Sequence, residues 1–149
     1  NTALQRFAAF FMALVVITIG LLITMALLTG PADLEGISIA DLSAMNLHVL
    51  FFGGFFGALA FSVVAATGRR TLAVGVCVGV AVLGFAANGL LPQIEGLEWT
   101  KSWSPYDWLN GGLPLDNGAQ LNDILIMAIL IAVLVAIGAA GFRRRDVNV

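Results

Sequence analysis

Four long stretches of the chain contain no Asp, Glu, Lys or Arg, and this feature constrains the fold more than any other. The stretches are Phe7 to Ala32, Leu42 to Gly68, Thr71 to Ile94 and Ile124 to Phe142. Each approaches or exceeds the ~20 residues that an α-helix needs to cross the hydrocarbon core of a bilayer. Only 11% of the 149 residues are charged, against roughly 25% in soluble domains. We therefore predict an integral membrane protein.

The apolar stretches predict helices rather than the strands of a membrane barrel. Barrel strands alternate apolar and polar residues, whereas a run such as MALVVITIGLLITMALL is apolar on every side. The first stretch is also longer than the ~7–15 apolar residues of a signal peptide. The predicted fold class is an all-α integral membrane protein with a single transmembrane domain over residues 1–149. Its four spans are expected at residues 7–29, 46–67, 71–91 and 122–142.

The distribution of charge predicts the orientation of the chain. Six of the seven basic residues lie at the start of the chain, between the second and third spans, or after the fourth span: Arg6, Arg69, Arg70, Arg143, Arg144 and Arg145. Cytoplasmic loops of membrane proteins carry an excess of Lys and Arg. We therefore expect these arginines to anchor the cytoplasmic side and both termini to be cytoplasmic. The expected location is the cell membrane of a bacterium, as a multi-pass protein.

Several short patterns predict where helices begin and end. Gly30 and Pro31 break the first helix, and Ser38 with Asp41 has the spacing of a capping box for the second. Because Gly68 to Arg70 is so short a link, the second and third spans are expected to form an antiparallel hairpin.

The polar interval at residues 92–121, here called the outer segment, holds the chain's amphipathic aromatic residues. We expect two short interfacial or re-entrant helices in it, the second capped by Ser104, opened by Pro105 and ended by Gly111. Such rings suit the headgroup layer of a membrane. The segment is predicted to anchor the outer surface, with gating of a path as a second interpretation, through Trp99, Trp103, Ser104, Pro105, Tyr106 and Trp108.

Few side chains inside the spans can carry chemistry. His48 and Cys77 are the titratable residues of the four charge-free stretches, so a proton or sodium relay within this chain is not expected. The sequence has no glycine-rich phosphate loop, and we expect no enzymatic activity, no cofactor, no metal site and no nucleic-acid partner. For His48 the favoured interpretation is a hydrogen-bonded residue, and the alternative is an axial ligand of a pigment or haem.

Small residues on two spans predict close helix packing. Gly53 and Gly57, and likewise Gly75 and Gly79, have the GxxxG spacing that lets membrane helices approach each other. Packing within the chain is the favoured interpretation, and dimerisation is the alternative. Asn88 is expected to have a structural role, with substrate contact as its alternative.

Three sequence segments, taken in their order along the chain, resemble the C-terminal part of permease subunits of ATP-binding-cassette transporters of the type-two exporter superfamily. They are NLHVLFFGGFFGALAFSVVAATGRR (46–70), WSPYDWLNGGLPL (103–115) and GFRRRDV (141–147). The resemblance covers essentially the whole chain. It implies that the four spans are the last four of six, and that the outer segment is a pair of short helices before the last span. It also implies a dimer of permeases on two cytoplasmic ATPases.

Two functional hypotheses follow. In the first, the chain is a permease subunit of an ATP-driven exporter, and its partners are the lipid bilayer, a cytoplasmic ATP-binding subunit and a second permease copy. In the second, it is a non-transporting structural or accessory subunit of an energy-converting or pigment-bearing membrane complex, and its partners are the other subunits of that complex. A fold-level resemblance does not identify a substrate.

Overall fold

The computed structural model describes residues 2–31 and 36–146, except for the side chains of Arg145 and Asp146. Within these residues the regular structure is entirely helical. Six α-helices are formed, namely α1 (Thr2–Leu28), α2 (Ile39–Thr67), α3 (Arg70–Gly89), α4 (Pro105–Asn110), α5 (Pro114–Asn117) and α6 (Leu121–Asp146). Two 3-10 helices, Leu91–Gln93 and Glu98–Trp103, lie between α3 and α4. Asp33 and Glu35, which fall in the connection before α2, lie outside the described residues.

Four of the helices are long and apolar enough to cross a membrane, which confirms the predicted all-α multi-pass architecture. They are α1, α2, α3 with the turn that follows it, and α6. Helices α1 and α2 begin at Thr2 and Ile39, before the predicted spans at residues 7 and 46. The predicted spans were bounded by the apolar residues, whereas a helix continues for as long as its backbone hydrogen bonds are formed.

Local capping explains why α2 begins and ends where it does. The Ser38 hydroxyl accepts a hydrogen bond from Asp41 N (3.2 Å), and Ser38 N donates to Asp41 Oδ2 (2.9 Å), so the predicted capping box is confirmed. At the other end Gly68 adopts a left-handed conformation with φ 72° and donates to Val64 O (2.7 Å). A two-residue link then starts α3, which confirms the predicted hairpin.

Helix α2 is the centre of the bundle. It contacts α1, α3, α4, α5 and α6, and its most extensive contact is with α6. Two glycines of α6 make that contact close: a Cβ atom on Gly138 would lie 2.7 Å from the Phe61 ring, and one on Gly141 would lie 2.9 Å from Ala66 Cα. Helices α1 and α3 pack on α2 rather than on each other. Much of their outer surface is apolar and exposed, as expected of helices surrounded by lipid.

The outer segment contains four short helices, two more than predicted. Pro92, Pro105 and Pro114 each lie in the first turn of a separate helix. Proline has the backbone angle of a first helical residue and no N–H to leave unpaired, so it starts a helix readily. Gly111 ends α4 as predicted, and Gly118 ends α5. Proline starts and glycine stops therefore help to divide the segment into helices of three to six residues.

Candidate functional site in the outer segment

Ser104, at the start of α4, links the outer segment to α3 by a hydrogen bond. Its side chain is fully buried, and its hydroxyl accepts a hydrogen bond from Tyr106 N (3.2 Å) and donates one to Gly84 O (2.7 Å). The predicted N-cap is confirmed. Pro105 lies directly over Gly84, where a Cβ atom would come within 3.0 Å of Pro105 Cδ. The absence of a side chain on Gly84 is thus what lets α4 reach the backbone of α3, a role that the sequence analysis missed.

A second attachment to α3 comes from Thr100 in the preceding 3-10 helix. The Thr100 hydroxyl lies 2.7 Å from Leu97 O in its own turn and 3.2 Å from Ala87 O on α3. Within the segment, Trp108 Nε1 donates to Ser102 O (3.0 Å), which ties α4 to the residues before it. Gln93 Nε2 donates to Gly89 O at the end of α3 (2.6 Å), so the segment is folded on itself and bonded to α3 at three points.

The predicted aromatic anchors separate into an exposed pair and a packed pair. Trp99 and Trp103 are 62% and 75% exposed. Tyr106 and Trp108 are half-buried. Only the exposed rings present the free surface that an anchor in the headgroup layer needs.

The packed pair fits between the spanning helices. The Tyr106 ring lies between Phe52 of α2 and Phe85 of α3, with centroid distances of 5.4 and 6.1 Å. The Trp108 ring meets Phe55 of α2 edge-on at 6.1 Å with an interplanar angle of 90°. Edge-on and tilted ring contacts of this kind add about 0.5–1.5 kcal/mol to the burial of the rings.

His48 joins the outer segment to the last spanning helix. The side chain is fully buried on α2; Nδ1 lies 2.9 Å from Trp108 O, and Nε2 lies 3.0 Å from Gln120 N. A carbonyl oxygen only accepts and a backbone N–H only donates, so the ring is neutral, with the proton on Nδ1. Both ring nitrogens are thereby used, which leaves no lone pair for an axial metal ligand in this arrangement.

Two carboxylates lie near this histidine. Asp107 of α4 and Asp123 in the first turn of α6 are both half-buried and interact electrostatically with each other. Lys101 forms an ion pair with Asp107 at 3.8 Å. No group of three or more His, Cys, Asp or Glu side chains in the described residues is arranged to hold a metal ion.

An apolar cleft of about 460 Å³ opens between α1 and α2 on the side of the outer segment. Its walls include Leu21, Met25 and Leu115, and its polar residue is Asn46. The Asn46 side-chain amide donates to Thr18 O on α1 (2.9 Å), so it also bridges the two helices. A cleft with this lining suits a hydrocarbon chain and offers almost nothing to a charged molecule.

The GxxxG pairs face in different directions. A Cβ atom on Gly53 would lie 3.2 Å from the Leu14 side chain, and one on Gly57 would collide with the Phe10 ring, so both glycines pack on α1. Gly75 and Gly79 meet nothing within 4 Å. Neither pair packs across the α2–α3 hairpin.

Asn88 on α3 retains a buried polar atom without a partner. Its Oδ1 has no hydrogen bond within the described part of the chain, although the atom is shielded from solvent. No hydrogen bond through this oxygen supports the structural role expected of Asn88.

The arginines gather at the opposite end of the bundle. Thr2, Gly68, Arg70 and Phe142, from the ends of α1, α2, α3 and α6, line one cavity there. Arg69, Arg143 and Arg144 are exposed, and the side chain of Arg145 lies outside the described residues. The predicted basic anchors are therefore on one end of the molecule and the outer segment on the other.

Comparison of the chain with family models, curated proteins and solved structures found no match.

Proposed function

We propose that the chain is a membrane-spanning permease subunit of an ATP-driven exporter, and that it forms the translocation path with a second permease copy and cytoplasmic ATP-binding subunits. The observation that carries the proposal is the order of the three sequence segments (46–70, 103–115 and 141–147) that resemble type-two exporter permeases. The chain also has a segment of short helices seated between its third and last spanning helices. The resemblance implies a pair of short helices at this position, and the chain has four.

The end of the bundle that carries the arginines is here called the arginine end. In this proposal the arginine end faces the cytoplasm and the outer segment lies at the outer surface. Closure of the ATPases rocks the permease pair and so alternates access to a cavity at the seam between the two copies. Ser104 and His48 tie α2, α3, α6 and the outer segment together. These elements move as one body, because a hydrogen bond between buried or partly buried groups is costly to leave unmade.

The surface that meets the substrate is proposed to include the apolar cleft between α1 and α2. Helix α1 has fewer attachments to the bundle than α2, since its contacts are with α2 and, less extensively, α6. A change in the α1–α2 separation would alter the width of this cleft without breaking the bonds of the outer segment.

Purification of the full chain from its native membranes tests the proposal. A tagged chain extracted in a mild detergent is expected to carry a nucleotide-binding subunit in stoichiometric amount, measured by quantitative mass spectrometry. An unrelated multi-pass protein with the same tag controls for adventitious capture. Absence of any nucleotide-binding subunit, with the complex otherwise intact, would overturn the exporter assignment.

The accessory-subunit alternative is supported by the uncovered apolar surfaces of α1 and α3, which suit other membrane subunits as well as lipid. The same purification distinguishes it, because it predicts stoichiometric membrane subunits and no ATPase. Its pigment-ligand version is disfavoured by the two hydrogen bonds of His48. A co-purifying pigment whose absorption changes in His48→Ala would support that version.

A further inference from the structure

The cavity at the arginine end combines charge with an apolar wall. It has a volume of about 420 Å³, within the range of ~300–1,000 Å³ typical of small-molecule sites. Arg6 from α1 and Arg70 from α3 are its charged residues, and Phe61, Val64 and Phe142 form its apolar side. No carboxylate is among the described residues that line it.

Both arginines are available to an anion. The ion pair found in the described part of the chain is between Lys101 and Asp107, at the other end of the molecule. Arg6 and Arg70 are exposed at the cavity and have no carboxylate partner among the described residues. Guanidinium groups bind phosphate oxygens through paired hydrogen bonds and are weakly hydrated, so they suit a partly apolar site.

The start of α3 adds to the positive character of the cavity. Its N-cap residue is Arg69, whose side chain makes no capping hydrogen bond. The backbone N–H groups at the first turn of a helix lack intrahelical partners and carry a partial positive charge. Arg70, the first residue of α3, lies in the cavity wall, so this helix terminus and the two guanidinium groups act on the same space.

The depth of the cavity fits a lipid headgroup. The four spanning segments end at this level, with Thr2, Thr67, Arg70 and Arg144 as their terminal residues. Headgroup phosphates lie where the apolar part of a span ends, and acyl chains extend from there along apolar side chains. Cytoplasmic leaflets are rich in anionic lipids, which bind to basic pockets between spanning helices.

We propose that this cavity binds the phosphate of an anionic membrane lipid between Arg6 and Arg70, with an acyl chain against Phe61 and Phe142. The site links the first turns of α1 to the start of α3, two helices that pack on α2 rather than on each other. A bound lipid therefore closes the bundle at the end where α1 is otherwise held by α2 and α6. This assignment does not depend on the exporter proposal.

Native mass spectrometry from nanodiscs tests the site. The nanodiscs contain equal parts of phosphatidylglycerol and phosphatidylcholine, and the lipids retained by the released protein are counted. The unchanged chain is expected to retain phosphatidylglycerol in preference. The Arg6→Gln/Arg70→Gln variant is expected to lose that preference by about 30-fold, if each arginine contributes as a typical basic residue at a membrane surface.

The matched control is Arg69→Gln/Arg143→Gln, which removes two charges from the same end without touching the cavity lining. It should retain the preference for phosphatidylglycerol. Equal losses in the two double variants would overturn the site, because the net charge of the end would then explain the binding. Thr2 also lines the cavity, so Thr2→Trp keeps both arginines but adds a large ring to the lining, and it should also lose the lipid.

Two further measurements distinguish a lipid from other ligands of the two arginines. Inorganic phosphate in excess should leave the lipid bound, and complete displacement by phosphate would overturn the lipid assignment. If the Arg6→Gln/Arg70→Gln variant retains phosphatidylglycerol as the unchanged chain does but loses a co-purifying ATP-binding subunit, the arginines serve a protein partner and the lipid assignment is wrong.

Discussion

His48 pairs two backbone groups that the helices around it leave unpaired. Trp108 lies in the last turn of α4, where carbonyl oxygens lack an intrahelical donor, and Gln120 directly precedes α6, where N–H groups lack an intrahelical acceptor. The neutral imidazole supplies one donor and one acceptor at the required places. No other single side chain of this size offers that combination on a rigid ring. The residue is therefore a structural connection between the outer segment and α6.

Replacing His48 should destabilise the bundle. His48→Ala removes the partners of Trp108 O and Gln120 N, which belong to half-buried residues, at a cost of up to about 1–3 kcal/mol for each group. His48→Gln keeps one donor and one acceptor and should recover part of the loss. Thermal unfolding in detergent measures both. Ser62→Ala is the control, since the Ser62 hydroxyl bonds only Leu59 O of its own helix, and a loss of stability equal to that of His48→Ala would contradict the argument.

Hydrogen bonds that span a few residues were predictable from the sequence, and the long-range ones were not. The caps at Ser38 and Ser104 depend on residues two or three positions away, so their spacing alone indicates them. The partners of His48 lie 60 and 72 residues away. Only the folded arrangement of three elements brings them together. The same reason explains why the role of Gly84 under Pro105 was missed.

At the level of elements, α6 sits against α2 because glycine removes the side chains between them. An alanine at Gly141 would place Cβ 2.9 Å from a backbone atom of α2, Ala66 Cα, which cannot rotate away. An alanine at Gly75 on α3 would meet nothing within 4 Å. Gly75 belongs to a pair with GxxxG spacing, whereas Gly141 does not. The spacing of glycines in the sequence therefore does not specify which of them face a neighbouring helix.

This difference gives a matched pair of variants. Gly141→Ala should destabilise the bundle by about 1–3 kcal/mol through overpacking, whereas Gly75→Ala should be neutral or stabilise it by up to about 1 kcal/mol, because alanine favours helix. Chemical unfolding of the detergent-solubilised chain compares them. A clear loss of association between copies in Gly75→Ala, with the fold unchanged, would instead place Gly75 at a dimer seam.

Substitutions of two tryptophans of the outer segment, Trp108 and Trp103, should also differ in their effects. Trp108→Ala removes the hydrogen bond to Ser102 O and the contact with Phe55, so the segment should loosen. Trp103→Ala removes an exposed ring and should leave the fold intact while weakening its attachment to headgroups. Hydrogen exchange over residues 98–120 measures the loosening. Both variants should still insert, and equal loss of protection in both would contradict the distinction.

For the whole molecule, the arginine end and the outer segment lie on opposite ends of the bundle, and the charge rule predicts that the arginine end faces the cytoplasm. Single cysteines in a Cys77→Ala background test this orientation. An impermeant thiol reagent added to intact cells should label Ser102→Cys. Thr71→Cys, near the start of α3, should react only after the membrane is opened. The reverse pattern would invert the topology and move the lipid site to the outer leaflet.

The dominance of the α2–α6 contact also determines when the bundle can be completed during synthesis. Helix α2 leaves the ribosome early, yet its most extensive partner is the last helix to be made. Until α6 enters the membrane, His48 has no Gln120 to accept from, and the groove that receives Gly138 and Gly141 stays open. In a nascent chain that stalls after α3, neither ring nitrogen of His48 has the partner that it bonds in the folded chain.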